Sequence, residues 1–217
     1  SAEVAALGHT LVTYGYNRLG QREAVTDTTG TMTYDYDALY RPLDVAAPTG
    51  DVTYTYDAAG QRTHLIYPTG QTVTYTHDAA GRLTQVRDWS GGTTVYTYTA
   101  AGRLSGIARP NGVTSAYSYD AAGRLAQIEH RDAAAQLLAR YTYTLDGVGN
   151  RTHVTETVSG ATRDIAYTYD PLNRLTAAEY STSEAYGYQY NAVGNRTAMT
   201  DATGAYTYTY DAANRLT

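Results

Sequence analysis

The sequence predicts an all-β protein, built as a repeat array of antiparallel β-hairpins, and two observations support this. A nine-residue motif, best seen at Tyr117–Leu125 (YSYDAAGRL), returns about ten times along the 217 residues. Its second tyrosine, or the residue in that place, recurs at intervals of 20 to 26 residues, most of them 20 or 21. Such a fixed period is typical of repeat proteins, in which each unit packs on the next.

Each repeat predicts two strands and two tight turns. Residues Val52–Tyr56 alternate apolar and polar side chains with the period of a strand. Asp57–Gly60 then predicts a turn, since aspartate accepts backbone N–H bonds and glycine adopts a positive φ. Residues 61–67 return as a second strand, and Pro68–Gly70 turns the chain again. These connections are too short for parallel neighbours, so we expect roughly twenty antiparallel strands and almost no helix.

The returning strand departs from strict alternation. Leu83 and Val86 are three residues apart, as are Leu104 and Ile107, whereas a regular strand would separate them by an even number. A β-bulge repeated in each hairpin would put both residues on one face and add twist. Repeated twist curls a meander, which then closes into a barrel or winds as a spiral.

One segment has a helical composition. Residues 133–139 (AAAQLLA) lie in the longest interval between motifs. We expect an elongated hairpin around a longer turn there, with a short helix as the alternative.

Composition indicates a sheet whose side chains are only partly shielded from water. The chain has 24 tyrosines but no phenylalanine, cysteine or lysine, so tyrosine supplies most of the large apolar surface and arginine every basic side chain. Without cysteine there are no disulfides or thiolate metal sites. A net charge of −5 gives no basic surface for nucleic acid, and no apolar run is long enough to span a membrane as a helix. We therefore expect no cofactor and no nucleic-acid partner.

The tyrosines predict a specific contact. Neighbouring strands lie about 4.8 Å apart, so equivalent tyrosines two strands apart are about 9.6 Å apart and cannot stack. The strand between them carries leucine or an arginine, as at Arg62, Arg151 and Arg196. We predict that these arginines lie between tyrosine rings in cation–π contact, the alternative being arginines solvated on the outer face.

The motif resembles the signature of the YD-repeat (Rhs-repeat) family, Tyr-x-Tyr-Asp-x-x-Gly-Arg-Leu, over essentially the whole chain. The structural motif residues that carry the resemblance are Tyr54, Tyr56, Asp57, Gly60, Arg62, Tyr117, Tyr119, Asp120, Gly123, Arg124, Leu125, Tyr167, Tyr169, Asp170 and Arg174. Some copies depart from it, with His77 and Leu145 in place of the second tyrosine. Asn173 and Asn214 replace the turn glycine and tolerate its conformation, whereas Tyr40 leaves that turn's geometry open.

The resemblance implies a spiralling, curved β-sheet that walls a hollow shell or tube. The family includes shell components of Tc toxins, bacterial Rhs proteins and animal teneurins. In the toxins the shell is followed by a self-cleaving aspartate segment and a toxic domain. No segment here matches these, because Asp170-Pro171 lies within a repeat. The resemblance therefore implies the wall and not the toxin.

The whole chain, residues 1–217, is expected to be a single YD-repeat array cut in mid-repeat at both ends. It stops at Arg215–Thr217, where a returning strand starts, and begins with Glu3–Gly8, which has the pattern of the rest of such a strand. Either the chain is a slice of a longer wall, which we favour, or copies join head to tail through open sheet edges.

Candidate sites are few. The motif aspartates are expected to cap turns, because each is alone and calcium takes several clustered oxygen ligands. The histidines, which show no metal spacing, are His9, His64, His77, His130 and His153. Gly91-Gly92 is expected to form a hairpin turn. We therefore predict no catalytic, cofactor-binding or metal site, and no enzyme.

Three further residues allow two interpretations each. Asn150 and Asn195 fit the N-glycosylation sequon but fall on the motif itself, so a structural role is favoured. Trp89, the sole tryptophan, is expected to cap the sheet face, with contact to a partner or glycan as the alternative.

The function predicted is structural: the β-sheet wall of a secreted or cell-surface shell, tube or filament, with a bacterial source favoured. The alternative is an adhesion or carbohydrate-binding module that uses the tyrosine-rich face. The expected partners are neighbouring YD repeats or copies of the chain itself through open sheet edges, and either a glycan or an encapsulated polypeptide.

Overall fold

The computed structural model describes residues 12–217, and in this part the protein has nineteen β-strands and no helix. The predictions for His9 and Glu3–Gly8 lie outside the described residues. The chain divides into two compact units, residues 1–96 and 97–217. The all-β prediction is confirmed, and none of the described segments forms a helix that could span a membrane.

In the first unit each strand pairs antiparallel with the next along the chain. The strands are β1 (Thr13–Tyr16), β2 (Arg22–Asp27), β3 (Gly30–Tyr36), β4 (Pro42–Ala47), β5 (Gly50–Tyr56), β6 (Arg62–Ile66), β7 (Thr72–His77), β8 (Leu83–Arg87) and β9 (Thr93–Tyr98), which begins in this unit.

The second unit repeats the same meander. Its strands are β10 (Leu104–Ala108), β11 (Thr114–Tyr119), β12 (Leu125–Arg131), β13 (Leu137–Leu145), β14 (Arg151–Val158), β15 (Ala161–Tyr169), β16 (Leu175–Tyr180), β17 (Ala185–Tyr190), β18 (Arg196–Asp201) and β19 (Gly204–Thr207).

The repeated β-bulge is confirmed. In the β11–β12 hairpin Ser118 pairs with Gln127 but Tyr119 pairs with Leu125, so one residue of the returning strand is left over. The same shift occurs at the second tyrosine, or the residue in its place, in seven other hairpins. Of these eight hairpins, four lie in the first unit and four in the second. The bulge therefore belongs to the repeat and explains the three-residue spacing of its apolar side chains.

The turn that follows the second tyrosine, here called the YD turn, has one geometry throughout. In the copy at residues 57–61 the N–H of Asp57 donates to the carbonyl of Gln61 at 2.9 Å, and the N–H of Gly60 donates to the carbonyl of Asp57 at 3.0 Å. This is a type I turn followed by a left-handed residue. Tyr40 also has this left-handed conformation, at φ 65°, so its turn keeps the common geometry.

The segment with helical composition is a hairpin. Strands β12 and β13 are seven and nine residues long, and Asp132–Gln136 connects them. The elongated hairpin is confirmed and the helix alternative is wrong. The turn is not longer than the others, because the N–H of Ala135 donates to the carbonyl of Asp132 as in a YD turn, with Ala135 at φ 62°.

Few side chains are fully buried, and they share one face. The first tyrosine of each motif faces an apolar residue across the hairpin, as Tyr143 faces Val154, and Val154 in turn faces Ile165. Val154 and Ile165 are 3% and 2% exposed and pack with Ala178. We call this the tyrosine face. On the other side, the threonine face, hydroxyls bond in pairs, as Thr168 does with Thr176 at 3.0 Å. The sheet is therefore half-wet, as the tyrosine content predicted.

Candidate functional site

The motif aspartate closes the YD turn. Asp120 Oδ1 accepts the backbone N–H of Arg124 at 2.8 Å, and Oδ2 accepts Nε of the same arginine at 2.7 Å. The backbone and side-chain bonds from Arg124 lower the pKa of Asp120, so the carboxylate is favoured as an anion. Aspartate capping is thus confirmed in this turn. The other aspartates paired with an arginine in this way are Asp37, Asp78, Asp170 and Asp211.

Every YD turn has an arginine at one of two adjacent positions after its left-handed residue, and the first turn has Arg18 in addition. Those directly after the left-handed residue, here called turn arginines, are Arg41, Arg82, Arg103, Arg124, Arg174 and Arg215. Those one residue later, here called strand arginines, are Arg22, Arg62, Arg151 and Arg196. Where the arginine is on the strand, glutamine or asparagine holds the turn position.

Arg62 and Arg196 lie between two tyrosines, as predicted, whereas for Arg151 the structure shows one ring contact, with Tyr143 at 4.4 Å. The guanidinium carbon of Arg62 is 6.0 Å from the ring centroid of Tyr54 and 4.3 Å from that of Tyr75 in the next repeat. Arg196 lies in the same way between Tyr188 and Tyr208, at 5.9 and 4.7 Å. The alternative of arginines free in solvent is wrong for these residues, and an arginine held between two rings joins two repeats.

The turn arginines make a contact that the sequence pattern did not predict. Arg174 pairs with Asp170 in its own turn and also lies 4.8 Å from the ring of Tyr190, the second tyrosine of the next repeat. Its Nη1 donates to the carbonyl of Asn191 at 3.0 Å. Arg41 lies 4.5 Å from Tyr56 in the same manner. The turn arginine therefore links successive turns as well as closing its own.

The hydroxyl of the second tyrosine makes another contact that the sequence pattern did not predict. Tyr119 Oη donates to the carbonyl of Leu104 at 2.8 Å. The ladder between β10 and β11 extends only to Gly106 and Ala116, so this hydroxyl replaces a missing ladder bond. The tyrosines that bond a carbonyl of the preceding repeat in this way include Tyr36, Tyr56, Tyr119, Tyr169, Tyr190 and Tyr210. The feature of the sequence that could have indicated this hydrogen bond is the fixed position of the second tyrosine next to the bulge.

The turn glycine leaves room as well as taking a positive φ. The place where a Cβ on Gly123 would stand is occupied by the guanidinium of Arg103 from the preceding turn, and Arg103 lies 5.7 Å from the ring of Tyr119. Where the preceding turn has asparagine, the side chain is shorter and the next turn holds asparagine too. Asn150 Nδ2 donates to Asn173 Oδ1 at 2.9 Å, which supports the structural interpretation of that sequon.

The predicted motif residues therefore form repeated local sites. Tyr54, Tyr117 and Tyr167 face Leu65, Ile128 and Ala178 across their hairpins. The other motif residues hold the bulge, the turn and the link to the next repeat at each copy. Their chemistry is cohesion between repeats, since each set contacts its neighbours in the array.

Sequence comparison identifies the array. The profile of the teneurin YD-shell family matches residues 3–143. The chain belongs to the teneurin YD-shell family. The RHS-repeat profile matches residues 169–205 and 190–217 of the remainder. A search of curated protein sequences finds no match.

Solved structures share the fold of this YD-shell chain. A structure of the Photorhabdus luminescens Tc holotoxin pore matches with a TM-score of 0.71 at 20% identity, over 91% of this chain and 12% of that one. A TcdB2–TccC3–Cdc42 crystal structure matches with a TM-score of 0.52 at 18% identity, over 95% and 16%. The YD-shell chain thus spans less than a fifth of each of these two chains, and the likeness shows the fold.

Three histidines of the YD-shell chain, His64, His130 and His153, are held in separate polar contacts. His130 Nδ1 lies 2.8 Å from Ser115 Oγ, which also accepts a bond from Arg109. The Arg109 guanidinium donates to the serine oxygen, and the serine hydroxyl and the imidazole share the second hydrogen bond. Ser115 is 2% exposed, so this pair is closed to a substrate. Between residues 12 and 217 no three acidic or histidine side chains cluster as a metal site.

Trp89 lies apart from the repeat contacts. Its side chain is 52% exposed, and its ring meets Tyr67 edge to face, with centroids 5.4 Å apart. Beside it is an open groove of about 470 Å³ between two successive mid-repeat turns. The groove residues are Thr69, Gly70, Gln71, Thr72, Thr74, Arg87, Asp88, Trp89 and Gly91.

Proposed function

We propose that this YD-shell chain forms part of the β-sheet wall of a shell, tube or filament. The observation that carries the proposal is the repeated link between neighbours: tyrosine hydroxyls, turn arginines and strand arginines each join one repeat to the next. Cohesion of this kind extends a sheet without needing a second layer. Such a sheet suits a wall, because both of its faces tolerate water.

The proposal includes a setting and partners. The wall is secreted or on a cell surface, of bacterial source, and works as a structural element and not as an enzyme. Residues 1–217 belong to one array, since the motif continues from the first unit into the second with the same period. The partners are neighbouring YD repeats or further copies of the chain, joined through open sheet edges, and an encapsulated polypeptide. The similarity to Tc holotoxin chains supports this setting.

Exposed apolar side chains at the tips of YD turns support contacts between wall segments. Val148, Leu172 and Val193 hold the same position in three successive turns and are 74%, 67% and 69% exposed. We call them the turn ridge. Most other YD turns have alanine at this position, as at Ala122. A row of large apolar side chains in water is typical of an interaction surface, and another stretch of YD repeats is the occupant we propose.

Light scattering and electron microscopy over a concentration series test this proposal. We expect discrete curved or tubular assemblies that grow with concentration. Replacing the ridge residues by serine (Val148→Ser, Leu172→Ser and Val193→Ser together) should weaken assembly without lowering the thermal midpoint, because these side chains are already exposed. Ala122→Ser is the matched control. A ridge variant that assembles as well as the wild type would contradict the ridge contact, and a wild-type chain that stays monomeric would contradict assembly through copies and leave the chain as a slice of a longer wall.

The alternative function, glycan adhesion through the tyrosine face, has less support. The second tyrosines already use their hydroxyls on backbone carbonyls, and strand arginines lie between first tyrosines. The exposed tryptophan favours a binding role, but at a different place, the groove beside the mid-repeat turns. Glycan arrays separate the two functions, since a wall without a sugar site shows no saturable binding.

A further inference from the structure

The groove beside Trp89 is unlike the other mid-repeat turns. The first residue of the turn is proline in the preceding and following copies, at Pro68 and Pro110, and tryptophan only at Trp89 among residues 12–217. Pro68 packs where a Cβ on Gly50 would stand, so proline serves the contact between turns. Trp89 does not make this contact with the preceding turn, and its side chain is half-exposed. The fold gives no reason for an indole at this position.

The indole is held in place before any ligand arrives. Tyr67 meets it at an interplanar angle of 82°, the favourable edge-to-face geometry for two aromatic rings. The backbone beneath it is fixed by Asp88, whose Oδ1 accepts the N–H groups of Ser90 and Gly92 at 2.9 and 2.8 Å. An aromatic ring that is exposed yet fixed offers apolar surface at little entropic cost.

The groove also contains an arginine side chain that forms no ion pair with the described residues. Arg87 is exposed on the threonine face, opposite Thr74 in the ladder, and has no ion-pair partner within the described residues. The motif arginines, in contrast, are bound to aspartates or tyrosines. A free guanidinium presents a planar fork of donors that matches a carboxylate. Gln71 and the hydroxyls of Thr72 and Thr74 add neutral polar groups along the same wall.

We propose that this groove binds an acidic sugar residue, a uronic acid unit of a glycan. The apolar face of the pyranose ring stacks on Trp89, and its carboxylate pairs with Arg87. The threonine hydroxyls and Gln71 meet the ring hydroxyls. A volume of about 470 Å³ accommodates one or two sugar units, and pockets for small ligands have this size range. The site does not depend on the wall function, since none of its residues belongs to the YD turns.

Intrinsic fluorescence tests the proposal directly, because Trp89 is the only tryptophan in the chain. Methyl glucuronide should change the emission saturably, and methyl glucoside should bind about tenfold more weakly, the value of one charge-assisted pair. Arg87→Gln should remove this difference while keeping the weak neutral-sugar response. Arg18→Gln, an exposed arginine of the first YD turn that does not line the groove, is the matched control and should bind as the wild type does.

Two further measurements separate sugar stacking on the indole from a simple effect of carboxylate anions. Trp89→Ala is followed by saturation-transfer NMR, and it should lose the glucuronide signal while its circular dichroism spectrum stays unchanged. Acetate at equal concentration should not reproduce the emission change. The proposal is overturned if no saturable change occurs, if both sugars bind equally, if acetate acts as glucuronide does, or if Arg87→Gln keeps the preference.

Discussion

At the scale of the residue, glycine in the YD turn meets two demands that the sequence pattern does not separate. One is the positive φ, which asparagine also satisfies at Asn173. The other is space for the side chain that arrives from the preceding turn. Gly123 meets both, whereas nothing lies within 4 Å of the place of a Cβ on Gly149. The two glycines have the same role in the motif but different neighbours.

This difference predicts unequal effects of alanine. Both Gly123→Ala and Gly149→Ala strain a left-handed turn, at about 1–2 kcal/mol each. Gly123→Ala should lower the free energy of unfolding by about 1 kcal/mol more, because the guanidinium of Arg103 must leave its cation–π contact with Tyr119. Chemical denaturation of the two variants measures the difference. Equal losses would show that the arginine contact contributes nothing.

Tyr40 replaces the turn glycine of the motif, although the backbone there keeps the left-handed conformation that favours glycine. It has the left-handed conformation at φ 65° and its side chain is 59% exposed, so the strain has no compensating burial. Tyr40→Gly should raise the free energy of unfolding by about 0.5–1 kcal/mol, the strain relieved less the added freedom of the unfolded chain. Leu39→Gly, one residue earlier, should lower it. A loss of stability in Tyr40→Gly would contradict the strain argument.

At the scale of the element, the sequence predicts most of the hairpin. The intervals between tyrosines predict the strands, and the spacing of Leu104 and Ile107 predicts the bulge. Contacts between repeats are harder, because they depend on how far a side chain reaches across the register. Arg62 was predicted from strand spacing alone, since it lies within a strand. Arg174 extends from a turn, and strand spacing says nothing about where its guanidinium lies.

Turn arginines and strand arginines both link one repeat to the next, which predicts that one arrangement can replace the other. Arg174→Gln alone should destabilise, because it removes the contacts with Asp170, Tyr190 and the carbonyl of Asn191. Adding Leu175→Arg places a strand arginine between first tyrosines, as Arg196 is placed.

A double-mutant cycle at residues 174 and 175 checks this exchange. The double variant should be more stable than the sum of the single effects by at least about 0.5 kcal/mol, because Leu175→Arg beside Arg174 crowds two like charges and Arg174→Gln removes that repulsion. Denaturation of the three variants under the same conditions gives the coupling. Additive effects would mean that the two arginine positions are independent.

At the scale of the whole molecule, stability is distributed along the array. Each unit has few fully buried side chains, so local contacts repeated many times replace a single core. The capping aspartates are the most regular of these contacts and the most sensitive to pH. In turns that pair the aspartate with a turn arginine, hydrogen bonds from that arginine lower the pKa of the aspartate below the ordinary value of 3.8, as at Asp120 and Asp211.

The sign of this shift predicts acid sensitivity. A carboxylate whose pKa is lower in the folded state stabilises the fold above the ordinary pKa, and this contribution disappears as the pH falls below 3.8 through the lowered value. The thermal midpoint should therefore stay level down to about pH 5 and then fall towards about pH 2. Replacing the five arginine-paired aspartates Asp37, Asp78, Asp120, Asp170 and Asp211 together by asparagine keeps an acceptor in each turn but removes the titrating groups, so the midpoint should start lower and fall less steeply. A wild-type midpoint that does not change below pH 3.8, or a variant curve parallel to it, would show that turn capping does not set the acid limit of the array.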